Sequence, residues 1–154
     1  MEELLYLSAS EIARRIRSRK LTSREAVETH IREIERVNPI INAVVADRFE
    51  AARKEAARAD ELTFSSHRDD LPEFHGVPCT IKECFALEGM PNTSGLVARI
   101  GIIAESDATA VDRMRKAGFI PMGVTNVSEL CMWMESDNKV YGRTGSAYDP
   151  SRTA

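Results

Sequence analysis

At 154 residues, 43% apolar and 29% charged, the chain can build one ordinary domain with a core and is neither collagenous, disordered nor disulfide-dense. Its formal net charge of −3 has both signs interspersed, so no basic field favours nucleic acid or an anionic membrane. No apolar run approaches the ~18 residues of a spanning helix, and Met1-Glu2-Glu3-Leu4-Leu5 lacks the basic start and apolar stretch of a signal peptide.

The first third reads as helices. Ser8 and Glu11, and again Thr22 and Glu25, have capping-box spacing. After the first pair Ile12, Ala13 and Ile16 share a face; after the second Val27, Ile31, Ile34 and Val37 recur at helical spacing. Asn38-Pro39 is expected to stop that helix, because a residue before proline avoids the helical region. The β-branched run from Ile40 to Val45 then reads as a strand, and Asp47 with Glu50 opens a third helix through about Leu62. The polar stretch from Thr63 to His75 reads as a surface loop.

The run Val77-Pro78-Cys79-Thr80-Ile81 reads as a strand that ends on a charge, Lys82, and Gly89-Met90-Pro91-Asn92 breaks the chain after it. Asp107 can cap a helix carrying Val111 and Met114, closed by Gly118. The next strand is Phe119 to Val124. Strand, crossover with a helix and strand imply parallel pairing. The class is α/β with helices leading, and the tail from Val140 to Ala154 is turn-rich.

Lys82 admits two readings. A strand-end lysine commonly snorkels its ammonium into water. Alternatively, a lysine held in a dry site loses charge and becomes a usable base, able to take a proton from a serine hydroxyl. Strand alternation sends Glu83 to the opposite face, so it need not neutralise Lys82. Cys131-Met132-Trp133-Met134 reads from composition as a soft core segment, and Asn126 and Asn138 as turn-fixing residues. Cys79, Cys84 and Cys131 cannot all pair with one another; reduced thiols in a reducing compartment are the simpler reading. The spacing of His75, Cys79 and Cys84 is not that of a zinc site, and neither metal nor cofactor is expected.

GVPCTIKE resembles the lysine-bearing strand of the amidase signature family, and LEGMPNTSGL the segment after it. SDATAVDRMRKAGFIPMGVTNVSELCMWMESDNKVYGRT resembles the family's next helix, strand and substrate-lining turn. The N-terminal helices with their Asn-Pro-x-x-Asn-Ala break resemble those of the same family, and ELCMWMESDNKVYGR is most similar to its fatty-acid amide hydrolases of the second type. The resemblance covers practically the whole chain. It implies the N-terminal portion of one domain over 1–154, helical over about 1–62 and strand-containing over about 76–154, with a mixed, mostly parallel sheet.

The family hydrolyses carboxamides with a Ser–cisSer–Lys triad, in which the lysine acts through a bridging serine on the nucleophile and backbone amides hold the oxyanion. Carried over, Lys82 is the triad lysine, Cys131 and Met132 lie beside the nucleophile on the substrate side, and Ser94 contacts substrate in its turn. The implied substrate is a small amide, most simply a lipid amide. The Gly-Gly-Ser-Ser-Gly-Gly stretch and the later Gly/Ser-rich segment are not among these residues; Ser94, Ser128, Ser146 and Ser151 match neither serine. The chain alone is therefore expected to be inactive. The alternatives are a catalytically dead binding or interaction module and an incomplete gene product. A cytoplasmic location is expected, with a membrane surface and a homodimer left open as partners. A parallel sheet with cover only from these helices would leave apolar faces wet, which predicts a marginal or aggregating fold.

Overall fold

A computed structural model describes residues 2–154. In chain order it holds α1 (Glu2–Leu5), α2 (Ala9–Arg17), α3 (Ser23–Ile41), β1 (Val44–Asp47), α4 (Phe49–Ser65), β2 (Pro78–Lys82), α5 (Thr109–Lys116), β3 (Ile120–Thr125), β4 (Asp137–Asn138) and β5 (Gly142–Arg143), with short 3-10 turns at Arg68–Asp70, Val97–Arg99 and Glu129–Cys131. No helix among the described residues is long and apolar enough to cross a membrane. The chain divides into two compact units. The first comprises 1–33, 48–79 and 112–122; the second comprises 34–47, 80–111 and 123–154.

The first unit is built on helix faces. Ser8 caps α2 by accepting from the Glu11 amide, while the Glu11 carboxylate turns to Arg14 and Arg15. The second capping box is complete: Thr22 Oγ1 accepts from the Glu25 amide at 3.1 Å, and the Glu25 carboxylate accepts from the Thr22 amide at 2.9 Å. The bonds that the Thr22 amide and hydroxyl donate to the Glu25 carboxylate hold it below its usual range. The α3 start is reinforced by buried Asp60, which accepts from the Ser23 and Arg24 amides. Ile12, Ala13, Ile16, Ala26 and Val77 form the apolar centre, with Phe74 and Phe119 stacked at 4.6 Å beside it. Each large aliphatic buried there contributes about 1.5–3 kcal/mol. On α4 the buried face is small, Ala52, Ala56 and Ala59.

Four expectations about boundaries are corrected. Helix α3 does not stop at Asn38 but runs through Pro39 to Ile41. The cost of the pre-proline position is offset by the Asn38 side chain, whose Oδ1 accepts from the Ala43 and Val44 amides and whose Nδ2 donates to Val44 O, all at 2.8 Å. The helix ends one turn later at Asn42, in the left-handed region at φ 51°. Accordingly β1 starts at Val44, not Ile40, and Asp47 closes β1 rather than opening α4. Finally, the stretch after Thr63 is not all surface: α4 continues to Ser65, and His75 is buried, its Nε2 2.9 Å from Ala59 O and 3.1 Å from Thr63 Oγ1. Gly118, at φ 101°, allows that approach, since a Cβ there would meet the His75 backbone at 2.7 Å.

The three longer strands form one sheet in the order β1-β3-β2. Hydrogen bonds from Ile120 N to Val77 O and from Glu83 N to Thr125 O climb both β2 and β3 together, which is the expected parallel pairing. β1 pairs antiparallel to β3, with Val44 opposite Thr125 and Ala46 opposite Val124. One residue, Val45, is therefore bulged. The sheet is mixed, with one junction of each kind rather than a parallel majority. β4 and β5 make a separate antiparallel pair.

Candidate active site

All residues of this site belong to the second unit. Lys82 ends β2 and is exposed; its Nζ donates to Ser136 Oγ at 3.2 Å. It lines a cleft of about 140 Å³ with Val127, Ser128, Cys131, Trp133, Met134, Glu135 and Ser136. The dry surroundings that would neutralise the amine are not formed by the described residues. The partner Ser136 is fixed through its backbone: its carbonyl accepts from the Thr144 amide at 2.8 Å and from Asn126 Nδ2 at 3.3 Å.

Glu83, the next residue, points the other way and is 0% exposed. A carboxylate offers only acceptors, and four donors meet it. Thr93 gives its amide and its hydroxyl, Ser94 gives its amide at 2.8 Å, and Tyr141 gives its phenol at 2.8 Å. Burial pushes the Tyr141 phenol above its ordinary value. The Glu83 backbone is tied as well, its amide to Thr125 O and its carbonyl to Asn92 Nδ2. The Thr93-Ser94-Gly95 turn is thereby held in the left-handed region at both Ser94 and Gly95. A Cβ on Gly95 would sit 2.9 Å from the Asn138 side chain, so glycine is required there.

The turn connects to the loop from Ser128 to Trp133. The Leu130 amide donates to Ser94 O at 2.8 Å. Ser128 Oγ closes the loop, donating to Trp133 O at 2.9 Å and accepting from the Trp133 amide at 3.2 Å. Leu130 and Cys131 both take left-handed backbone, at φ 52° and 58°; for side chains of this size that costs about 1 kcal/mol or more each. The loop is not the core segment its composition suggests. Met132, Trp133 and Met134 are 80%, 70% and 90% exposed.

Asn126 and Asn138 lie behind the cleft and hold the backbone of its lining residues Ser136 and Val127, fixing turns as the reading of these residues expects. Asn126 Nδ2 donates to Gly142 O at 2.8 Å and to Thr144 Oγ1 at 3.0 Å, and its Oδ1 accepts from Asn138 Nδ2 at 2.8 Å. Asn138 Oδ1 accepts from the Val140 and Tyr141 amides. Asn42, the residue that ends α3, donates to Tyr141 O, and Thr144 Oγ1 donates to Asn42 O.

Of the sequence-predicted residues, Lys82 and Cys131 line one cleft. Ser94 is buried and reaches the cleft wall through its backbone, by way of Leu130. Met132 sits on the same loop but does not line the cleft. The three cysteines are unpaired thiols. Burial, with the Cys131 thiol beside it, pushes Cys84 up to about 11; burial pushes Cys79 up to about 12. Sequence reasoning missed Glu83 as an organiser and Ser136 as the lysine's neighbour. Its one signal for Glu83 was strand alternation, which places the carboxylate opposite Lys82.

The Amidase family model matches residues 25–154. The chain is 50% identical to fatty-acid amide hydrolase 2-A of Danio rerio over 97% of its own length, and 48% identical to fatty-acid amide hydrolase 2 of Homo sapiens over 96%. It spans about 29% of the length of each of these relatives. A solved fatty acid amide hydrolase superposes with a TM-score of 0.89, covering 96% of this chain and 26% of that one, at 22% identity, which is a likeness of fold. With a family match over most of its residues and a lysine-bearing strand beside an apolar loop, the chain belongs to the amidase signature family.

Proposed function

We propose that this chain supplies the lysine limb of a carboxamide hydrolase of the Ser–cisSer–Lys type, acting on fatty-acid amides. The observation that carries the reading is the cleft in which Lys82 faces the exposed loop of Cys131, Trp133 and Met134. The amine is placed to pass protons, and the loop offers soft apolar surface to an acyl chain. The likeness to fatty-acid amide hydrolases supports the choice of substrate class.

In this reading Lys82 works in its neutral form and must be taken out of water. Within the 154 residues it is exposed, so closure comes from residues outside them, as do both serines. Lys82 takes a proton from the nucleophile through the bridging serine and returns it to the leaving nitrogen. Cys131 borders the substrate, Met132 adjoins it on the same loop outside the cleft, and Ser94 acts through its backbone.

Two measurements test this. The 154-residue chain gives no turnover of a long-chain primary amide; turnover that Lys82→Ala abolishes would overturn the requirement for further residues. In protein expressed from the reading frame continued past the codon for Ala154, and containing Gly-Gly-Ser-Ser-Gly-Gly, Lys82→Ala lowers kcat by about a thousandfold. An unchanged kcat removes Lys82 from the mechanism.

A further inference from the structure

We infer that Glu83 is a positioning residue that sets the loop wall of the Lys82 cleft, acting through the Thr93-Ser94-Gly95 turn. Its catalytic meaning rests on the reading of that cleft as a substrate site; the mechanical coupling does not.

The chain of contacts is short. Three donors from Thr93 and Ser94 end on the Glu83 carboxylate, and the Ser94 carbonyl receives the Leu130 amide. Leu130 and Cys131 hold backbone conformations that such residues rarely adopt. The contact next to this strained pair is therefore the one that Glu83 supports. Beyond it lie Cys131 and Trp133, which line the cleft.

Lys82 itself is placed by other means. Its neighbour Ser136 hangs from Thr144 and Asn126, and none of those bonds involves the Glu83 carboxylate. One strand end thus sends two consecutive side chains to separate tasks. Lys82 presents an amine, and Glu83 shapes the wall that faces it. A wholly buried carboxylate is a costly way to join two loops unless its geometry matters. Four donors fix that geometry, where an apolar contact would leave the turn free to slide.

Glu83→Gln separates placement from charge. Glutamine keeps one acceptor oxygen but turns an amide N–H₂ toward a donor. It must abandon one backbone amide, that of Ser94 or that of Thr93, since the Thr93 and Tyr141 hydroxyls can turn to accept but an amide N–H cannot. Tyr141→Phe is the milder partner, removing one donor and leaving the carboxylate.

The test is hydrogen exchange on the 154-residue chain, read together with the fluorescence anisotropy of Trp133, its single tryptophan. Glu83→Gln is expected to speed exchange across residues 128–134 at least tenfold and to lower the Trp133 anisotropy. Exchange in α2 and at the Ser136–Thr144 contact stays within twofold. Tyr141→Phe shifts the same peptide in the same direction by less. If Glu83→Gln does not fold, Tyr141→Phe decides alone. Exchange of 128–134 unchanged in the folded variants, or raised equally in α2, overturns the proposal. No turnover is measured, so failure of the hydrolase reading would leave these rates where they are.

Discussion

The two units reach order by different means. In the first, helices α2 and α3 bury Ile16, Ile31 and Val27 almost completely, and several of its salt bridges, such as Arg14–Glu11 and Lys116–Asp112, have largely exposed cations. Such pairs add little; burial of aliphatic area is the main term. In the second, short strands and turns carry little regular structure, and buried polar side chains add to the burial of Leu87, Val124 and Val127. Glu83, Asn126 and Asn138 are buried with several partners each. Apolar packing degrades gradually when a group is trimmed, whereas a polar hub leaves every partner unsatisfied when it is removed. The candidate site sits in the region that carries these hubs.

This contrast can be broken or sharpened by substitution. Asn126→Ala should be the most damaging, by about 4 kcal/mol, because Ser136, Asn138, Gly142 and Thr144 lose bonds together. Urea unfolding followed by Trp133 emission would report it. A loss below about 1 kcal/mol would show that the hub is not holding the second unit. Ile31→Ala, in the first unit, should cost about 3 kcal/mol, seen as a lower midpoint in far-ultraviolet circular dichroism. If it exceeds Asn126→Ala by a wide margin, the contrast is reversed.

Thr22→Ala removes half of the capping box and should cost about 1 kcal/mol. It also carries a pH signature. The Glu25 carboxyl is held below its ordinary 4.5 in the folded chain by the Thr22 amide and hydroxyl. Its contribution is therefore present above about pH 4.5 and is lost as pH falls through the lower folded value. Thr22→Ala should weaken that acid-side loss, by a small amount because Glu25 is mostly exposed to solvent. Melting temperatures between pH 3 and 6 measure it; an acid limb as steep as that of the parent chain would assign the loss elsewhere.

The smallest energetic effect, but a sharp ordering, is expected from the thiols. Iodoacetamide at pH 8 should modify exposed Cys131 first. Cys84, at about 11, and Cys79, at about 12, carry little thiolate there. The Cys84 rate should rise about tenfold per pH unit up to pH 10, since the thiolate is the nucleophile. Mass-spectrometric peptide mapping reads the order, and Cys79 reacting ahead of Cys131 would contradict the burial of Cys79.

Helix faces, caps and strand positions depend on neighbours a few residues apart, and these were legible in the sequence by itself. Ile12, Ala13 and Ile16, the Thr22–Glu25 box, β2 ending on Lys82 and the parallel step from β2 to β3 all belong to this class. Lys82 as a candidate came from the same local strand, weighted by its likeness to a family. The rest waited on contacts between residues far apart along the chain. Glu83 became a buried clamp because Tyr141, 58 positions away, brings it a phenol. Asn126 became a hub because Gly142 and Thr144 fold back onto it. Trp133 lies in solvent although its composition favours a core, because Ser94 and Ser128 hold its loop in an outward turn. Periodicity encodes which face of an element is apolar; only the assembled fold decides which polar groups lose water together, and those set the shape of this site.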